Sequence, residues 1–260
     1  MNREFYVAAA ELAQLAGWAA HDVGHQDEAE HWLSEALGLA AAAGDDAYAG
    51  EVLAGQSQQA LWLGEVGKAM KLALMAQESA TRAGVWPLLA EACVAEAHSH
   101  ARAGERQLCE VALHQADRAF DRSTGKPRPD WLQYFDEAYL AARAAHCWRD
   151  LGDFSGNLND MRQAERLATR SLDMDHRFVR GRQFNLALLA STQVVSDLQQ
   201  ACEGPGYQAL KLAAGLRSTR ARSYLEDLQR RLAQHPKERL VCRFNEQVRE
   251  VLGPPPTLRQ

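Results

Sequence analysis

The chain has 260 residues, of which 47% are hydrophobic, 24% are charged and 7% are aromatic. This length allows one or two ordinary domains with a substantial core. Alanine dominates the apolar residues and isoleucine does not occur, which argues against a sheet-rich fold. No apolar stretch reaches the roughly 18 residues of a membrane span, and the first residues lack the profile of a signal peptide. We therefore expect a soluble, cytoplasmic protein that does not bind membranes.

The net charge of −5 is unevenly distributed. Residues 211–260 contain eleven Lys and Arg residues against five acids, whereas residues 1–210 contain 18 bases and 29 acids. An acidic body repels a phosphate backbone, so we expect no direct nucleic acid binding by this chain. The basic C-terminal segment is a candidate contact surface, and we expect homodimerisation through it.

The histidines and cysteines give no strong signal for catalysis, a metal or a cofactor. His21 and His25 have the i,i+4 spacing of two metal ligands, but Gly24 lies between them at a predicted helix end, so the side chains should diverge. Cys147 follows His146 directly, and adjacent helical residues do not face each other. We expect no enzyme activity, no metal, no cofactor, and reduced cysteines that are mostly buried.

An internal repeat organises the first 216 residues. A glycine that ends one amphipathic run is followed five residues later by a small residue of the next run, and this pattern recurs at an interval of 40. The pairs are Gly24 with Ala29, Gly64 with Ala69, and Gly104 with Cys109. A fourth copy, 48 residues on, places Gly152 and Asp153 in its turn, and a weaker fifth copy places Ser196 and Asp197 there. The predicted repeats cover residues 5–44, 45–84, 85–122, 131–175 and 176–216.

Each copy predicts a helical hairpin. Apolar side chains recur at steps of three and four residues on both sides of the turn. Neither helix buries such a stripe alone, whereas stacking neighbouring hairpins buries it. Small residues such as Gly17 and Ala69 should lie where helices cross, so larger side chains there should overpack the stack. Four tryptophans are expected in the packed core, namely Trp32, Trp86, Trp131 and Trp148.

Small and apolar residues around the first turn have a characteristic spacing. They are Leu15, Ala16, Gly17, Ala20, Gly24, Ala29, Leu33 and Ala36. This spacing resembles the tetratricopeptide repeat, although the intervals of 40 to 48 residues exceed the usual 34 and imply longer helices. The resemblance covers residues 5–216 and implies an all-α, right-handed superhelical solenoid of about five hairpins.

Three further stretches are informative, namely PDWLQYFDEAYL at 129–140, DLG at 150–152 and AAGLRSTRARSYL at 213–225. They resemble the repeat region of actinobacterial transcriptional regulators that carry an N-terminal helix-turn-helix of the Xre type. That helix-turn-helix does not occur in this sequence, so the resemblance implies either the regulatory part of a longer protein or a free-standing relative. It implies a module that binds a ligand, a peptide or a protein and thereby influences an associated DNA-binding domain.

The pattern changes after residue 203. Gly204 and Pro205 should interrupt the second helix of the fifth repeat, because proline removes a helical hydrogen bond. Residues 218–235 then predict a charged amphipathic helix that stops at Pro236, and residues 238–252 predict another that stops at Gly253. Residues 217–260 are therefore expected to form basic capping helices and a proline-rich tail.

If the tetratricopeptide pattern holds, fixed positions of each first helix line a concave groove. The resemblance places ten candidate binding residues there: Trp18, His21, Gln58, Trp62, Glu91, His98, Arg102, Tyr139, His146 and Arg149. Such a mixture of indole, imidazole, amide and charge is typical of a peptide- or ligand-binding groove, because unpaired polar groups are costly in a core. The alternative is a plain solvated surface.

Two features of this groove carry specific hypotheses. Glu11, Glu51 and Glu91 recur every 40 residues, either as an acidic rail for a cationic ligand or, as we favour, as acids that complement helix dipoles. Arg102 and Arg149 predict an anionic ligand group at the third and fourth repeats, unless neighbouring acids neutralise them. A free-standing scaffold without a small ligand, and a helical enzyme, are the alternative functions.

Overall fold

The computed structural model describes residues 3–126 and 128–253. These residues form thirteen α-helices and two 3₁₀ helices, and no β-strand occurs among them, which confirms the all-α prediction. The α-helices are α1 (Arg3–Val23), α2 (Gln26–Ala42), α3 (Asp46–Trp62), α4 (Val66–Ala83), α5 (Trp86–Arg102), α6 (Arg106–Ser123), α7 (Glu137–Ser155), α8 (Leu158–Arg170), α9 (Val179–Gln193), α10 (Leu198–Glu203), α11 (Pro205–Ala213), α12 (Thr219–Leu232) and α13 (Arg239–Leu252). The 3₁₀ helices are Asp130–Leu132 and Ser171–Asp173. Within the same ranges, no helix has the length and apolar character needed to cross a membrane.

Consecutive helices pack as hairpins. α1 packs with α2, α3 with α4, α5 with α6 and α7 with α8, while α9 packs with α10 and α11. Odd-numbered helices also contact the next odd-numbered helix, as α3 does with α5 and α5 with α7. Helices α1, α3, α5, α7 and α9 therefore form one layer of the stack, which we call the inner layer. The other layer is formed by α2, α4, α6 and α8. The predicted packing of adjacent helical pairs is confirmed.

Left-handed glycines end each of the first five helices. Gly24, Gly64 and Gly104 occupy the turns inside hairpins, with φ of 94°, 83° and 75°. Gly44 and Gly84 occupy the turns between hairpins, with φ of 65° and 69°. A residue with a Cβ adopts this conformation at a cost of about 1–2 kcal/mol, so glycine is favoured at all five positions. The 40-residue pattern did not include the two glycines between hairpins, and with them a turn follows every 20 residues.

The predicted turn of the fourth hairpin is wrong. α7 continues through Gly152 and Asp153, and the turn lies at Gly156, where φ is 69°. Gly152 marks a helix crossing instead, because a Cβ on it would lie 3.2 Å from Cγ of Met161 in α8. Asn157 then caps α8 through a hydrogen bond that its side chain accepts from the helix backbone.

The fifth hairpin contains the predicted interruption. Asp197 caps α10 by accepting a hydrogen bond from the backbone N–H of Gln200. α10 then ends at Glu203 and α11 begins at Pro205, which confirms the break. Proline is tolerated in the first turn of α11 because that turn does not use the missing N–H.

Two helices cover the end of the stack. α12 and α13 pack against α9, α10 and α11. Their buried side chains include Leu225, Leu228, Leu232 and Phe244. Full burial of one such side chain stabilises the fold by about 1.5–3 kcal/mol relative to its exposure. Residues 254–260, the predicted proline-rich tail, lie outside the described residues.

The first helix, α1, contacts α9 and α12 near the other end of the stack. Asp22, at the end of α1, accepts hydrogen bonds from the Ser218 hydroxyl at 3.0 Å and from Arg180 Nη1 at 3.1 Å. Thr219 Oγ1 donates to the carbonyl of Val23 at 2.9 Å. We call this set of contacts the clasp. Because the clasp joins α1 to α9 and to the start of α12, α12 runs along the inner layer.

A loop covers the other end of the inner layer. Leu132 and Phe135 are fully buried, so the segment 128–136 is part of the core although it has little regular structure. Trp131 packs edge-on against Tyr48 of α3, with ring centroids 5.4 Å apart. Arg128 donates a hydrogen bond to the carbonyl of Phe135, which closes the segment on itself. The insertion between the third and fourth hairpins therefore folds back over earlier helices.

Trp32 contradicts the prediction of a buried tryptophan, because it is 41% exposed. It lies on the first hairpin, which no other hairpin covers on that side. The same hairpin exposes Phe5, Leu12, Leu15 and Val23. We call these four residues and Trp32 the end face of the stack.

Two glycine substitutions test the helix crossings. In Gly17→Ala, the new Cβ would lie 2.8 Å from Cγ of Leu33, so overpacking should lower the free energy of unfolding by about 1–3 kcal/mol. Gly38 has no neighbour within 4 Å, so Gly38→Ala should raise that free energy by about 0.5–1 kcal/mol through helix propensity alone. Denaturant unfolding measures both, and equal changes in the two variants would contradict the packing described.

Candidate functional site

We define the inner face as the side chains of the inner layer that face α12 and the loop 128–136. Five of the ten predicted groove residues are buried, namely His21, Glu91, His98, His146 and Arg149. Three are half-buried, namely Trp18, Gln58 and Tyr139, and two are exposed, namely Trp62 and Arg102. The structure brings nine of them together in three clusters, and Arg102 lies at the edge of the third.

The first cluster packs aromatic rings edge to face near the clasp. His21 lies against Trp18 and Trp62, with ring centroids 5.6 and 5.2 Å away. Its Nδ1 donates to Oε1 of Gln26 at 2.8 Å. Burial lowers the pKa of His21 to about 4, so the ring is neutral at pH 7. Arg220 of α12 lies over Trp18, with its guanidinium carbon 5.6 Å from the ring centroid.

The second cluster is a pair of buried carboxyl groups. Glu51 of α3 and Glu91 of α5 lie 2.9 and 2.8 Å from the hydroxyl of Tyr134. One phenol proton supplies only one of these hydrogen bonds, so the other requires a protonated carboxyl that donates to the phenol. Burial raises the pKa of Glu91 to about 7 and raises that of Glu51 well above its ordinary value. The pair therefore holds at least one proton at neutral pH.

The helix-dipole interpretation of the recurring glutamates is wrong for this pair. Glu51 and Glu91 are each the sixth residue of their helix, beyond the first turn, and both are buried. Glu11 is exposed and does not join them. The recurrence therefore reflects equivalent positions on α3 and α5, which the loop residue Tyr134 bridges.

Gln58 and Tyr139 extend the acid cluster towards α7. Gln58 Nε2 donates to the Tyr139 hydroxyl at 2.8 Å. That hydroxyl lies 3.3 Å from Oε1 of Glu91, to which it donates. Two of the predicted groove residues thus contact a third through direct hydrogen bonds.

The third cluster joins α5, α7 and α12. His98 Nε2 donates to Oδ2 of Asp150 at 3.0 Å, and Arg149 Nη2 donates to Oδ1 of Asp150 at 3.0 Å. His146 stacks on His98 with ring centroids 5.5 Å apart. The Tyr224 hydroxyl of α12 lies 3.2 Å from Nε2 of His146. The two predicted histidines therefore meet, as the groove positions implied.

Burial and neighbouring charges together set the protonation states in this third cluster. Burial lowers the pKa of His98 and of His146, so both rings are neutral at pH 7. Burial alone would raise the pKa of Asp150, but Arg149 and His98 hold it below its ordinary value. Any effect of histidine protonation on binding would therefore appear only below the ordinary titration range of histidine.

The two arginines predicted to bind an anion already have acid partners. Arg149 donates to Asp150 and also to Asp227 of α12, the latter at 3.3 Å. Arg102 is largely exposed, and its Nε lies 4.0 Å from Oδ2 of Asp150. The alternative of neutralisation by neighbouring acids therefore describes both, and α12 supplies an acid that the sequence prediction did not include.

The basic C-terminal segment also contacts the protein itself. Arg231 pairs with Asp153 at 2.6 Å, and Arg243 pairs with Glu203 at 3.3 Å. Part of the charge asymmetry in the sequence is therefore satisfied between α12, α13 and the acidic body. These pairs leave less of the segment available as a contact surface for a partner.

Buried polar atoms without partners are concentrated on the inner layer and α12. Among the described residues they belong to Glu51, His98, Arg143, Gln183, Gln193 and Arg220. All six residues lie on α3, α5, α7, α9 or α12. Buried polar groups are nearly always hydrogen-bonded in folded proteins, so this concentration distinguishes the inner face from an ordinary core.

Five residues of the inner face were absent from the sequence prediction, namely Tyr134, Arg143, Arg220, Tyr224 and Asp227. Arg143 lies four residues after Tyr139 and three before His146, so helical spacing alone could have identified it. The other four lie on the folded-back loop and on α12. No local pattern places those segments against the inner face.

The inner face offers donors and acceptors but no evident nucleophile. Burial raises the pKa of the Cys147 thiol well above its ordinary value, so the sulfur stays protonated. In the described ranges, no group of three or more His, Cys, Asp or Glu side chains is arranged to hold a metal ion. The arrangement fits binding through hydrogen bonds and charge.

No protein-family model matches the sequence, and no curated protein matches it. The inner face is therefore the feature that bears most directly on function.

Proposed function

We propose that this protein is a binding module whose inner face takes up a small molecule or a peptide segment. In this proposal the stack is a right-handed superhelical solenoid of the tetratricopeptide type. It acts in the cytoplasm as the sensory or interaction part of a transcriptional regulator. It has no catalytic role, contacts neither nucleic acid nor membrane, and dimerises through its basic C-terminal helices.

The observation that supports binding most directly is the set of unpartnered polar atoms on the inner layer and α12. A buried donor or acceptor without a partner costs about 1–3 kcal/mol. A core that served stability alone would place apolar side chains at these positions. A ligand that hydrogen-bonds these atoms recovers the lost free energy, so the cost is consistent with a binding surface.

The three stretches that resemble the transcriptional regulators contribute residues to the inner face. The stretch 129–140 contributes Tyr134 and Tyr139, and the stretch 150–152 contributes Asp150. The stretch 213–225 contributes Arg220 and Tyr224. The resemblance thus concentrates on the segments that close the inner face, which supports a shared binding role.

A ligand influences the rest of a regulator only if it binds one arrangement of the hairpins better than another. α12 contacts α1 through Arg220, α7 through Tyr224 and α9 through the stacked rings of Tyr224 and Phe184. A ligand that displaces or tightens α12 would therefore change how the first hairpin lies relative to the last.

Native mass spectrometry of the protein purified from its own host tests the proposal. We expect a mass above that of the chain, and we expect denaturation to release the excess. Gln58→Ala removes hydrogen bonds to Glu91 and Tyr139 on the inner face and should reduce the bound fraction. Lys71→Ala, on the exposed side of α4, should leave it unchanged. A bare chain mass in every sample would contradict the proposal.

The end face favours a second candidate, a scaffold that binds a protein without a small ligand. Its apolar residues are flanked by exposed acids, namely Glu11, Glu28 and Glu35. A second copy of the same face would repel this acidic rim, so the fitting partner is an amphipathic helix with basic flanks. In the same experiment, a scaffold would carry a bound protein that Leu12→Ser releases and Gln58→Ala does not.

A further inference from the structure

Two half-buried arginines on the inner face have no acid partner. Arg143 lies in the middle of α7 and Arg220 in the first turn of α12. Within the described ranges, neither guanidinium donates a hydrogen bond or forms an ion pair. Nε of both residues and Nη2 of Arg143 are shielded from solvent. Arg149, which lies on α7 with Arg143, shows the usual arrangement, because its guanidinium contacts two carboxylates.

Arg220 is positioned by aromatic rings. Its guanidinium carbon lies 5.6 Å from the ring centroid of Trp18 and 4.8 Å from that of Phe184. Contacts with ring faces orient the guanidinium but leave its N–H donors without acceptors. A guanidinium held in this way is pre-organised to bind a carboxylate or a phosphate through two hydrogen bonds.

Arg143 lies between the acid cluster and the histidine cluster. Its charge is close enough to lower the pKa of Glu91 and of His146. On α7, Arg143 precedes His146 by three residues, and on α12, Arg220 precedes Tyr224 by four, so each pair shares one face of its helix. The Tyr224 hydroxyl lies 3.2 Å from Nε2 of His146, and this contact brings the two arginine-bearing faces together.

Three of the acids nearby, Asp22, Asp150 and Glu91, already have partners, whereas Oε2 of Glu51 has none. Asp22 binds Arg180 and Ser218 in the clasp, and Asp150 binds His98 and Arg149. Glu91 accepts hydrogen bonds from Tyr134, Tyr139 and Gln58. His21, His98 and His146 face the same region as neutral rings, because burial lowers the pKa of each. The region thus retains positive charge that the protein does not pair.

We propose that Arg143 and Arg220 form an anion-binding subsite of the inner face, and that its ligand carries a carboxylate or phosphate group. This inference rests on the proposed ligand-binding function and adds the chemical class of the ligand. A carboxylate and a phosphate ester offer the same acceptor oxygens to a guanidinium, so either chemistry fits the two arginines. Arg102 and Arg149, the arginines that the sequence favoured, take no part.

Isothermal titration calorimetry and thermal melting with acetate and with inorganic phosphate test the subsite and distinguish the two chemistries. Chloride at matched ionic strength is the reference. We expect a saturable rise in the melting temperature of the wild type with at least one anion. Arg143→Met and Arg220→Met should each weaken binding of that anion on the order of tenfold or more. Arg230→Met, at an arginine of α12 whose side chain is 75% exposed, should bind as the wild type does.

The melting temperature without anion separates a binding role from a structural one. Arg143→Met removes an unpaired buried charge, so it should melt at or above the wild-type temperature. A fall of several degrees would show that Arg143 holds the fold together, and would overturn the proposal. So would the absence of any saturable shift in the wild type, or a shift in both arginine variants as large as that of the wild type.

The host-purified protein distinguishes failure of this inference from failure of the proposed function. If the bound fraction in native mass spectrometry is the same in the wild type, Arg143→Met and Arg220→Met, a ligand binds but the two arginines do not hold it. In that case the subsite is wrong and the binding function stands. If Gln58→Ala also leaves the bound fraction unchanged, the inner face itself is not the binding site.

Discussion

A protein that ends at residue 217 should aggregate and lose much of its helical content. Without α12 and α13, the helices α9 to α11 would expose apolar side chains that now pack against Leu225, Leu228 and Phe244. Exposed apolar patches of this kind promote association. Size-exclusion chromatography and far-UV circular dichroism of the truncated protein measure the two effects.

Two point variants on α12 measure how much the packing of this helix contributes to the free energy of unfolding. Leu228→Ala removes a fully buried side chain and should lower the free energy of unfolding by about 2–5 kcal/mol. Arg230→Ala, on the exposed side of the same helix, should change it by about 0.5 kcal/mol or less. A soluble and fully helical truncation would instead show that the two helices are a separable segment bound to a complete stack.

Glu91→Gln should gain stability relative to the wild type as the pH rises from about 5 to about 8. Burial raises the pKa of Glu91 from its ordinary value of 4.5 to about 7. The raised folded pKa gives stability that is fully present below the unfolded pKa and is lost as the pH rises through about 7. At about 1.4 kcal/mol per pH unit, the loss is on the order of 3 kcal/mol. Glutamine does not ionise, so the Glu91→Gln variant does not lose this stability.

The quantity to measure is the difference in unfolding free energy between Glu91→Gln and the wild type at several pH values. His21, His98 and His146 act in the opposite sense, because a lowered folded pKa of histidine reduces stability as the pH falls. Their effect is common to both proteins and cancels in the difference. Glu35→Gln, at an exposed position, should give a difference that does not vary with pH. The same flat profile for Glu91→Gln would contradict a shared proton.

Much of the fold could be predicted because its signals are local. A left-handed turn needs glycine, so Gly24, Gly64 and Gly104 marked three hairpins directly. Gly152 misled the prediction because glycine has a second role, the close crossing of two helices, and a sequence shows only the residue type. Gly156, four residues later, supplied the turn.

The site could be predicted only in part because it depends on contacts between distant segments. The groove positions that the resemblance implies placed His98 and His146 at equivalent points of neighbouring hairpins, and the structure stacks their rings. The approach of α12 depends on its packing against α9 and on the clasp with α1. That placement decides that Asp227 pairs with Arg149, and no spacing within one helix contains this information.

The clasp also has a kinetic consequence. Asp22, Arg180, Ser218 and Thr219 join the two ends of the stack, so in the proposed binding role a ligand that enters between these ends must wait for the junction to open. Opening of this kind is a collective motion, on the order of microseconds to milliseconds. The observed association rate would then level off at high ligand concentration, at the rate of opening rather than of diffusion. The same junction would slow departure, so it sets how long a molecule resides inside.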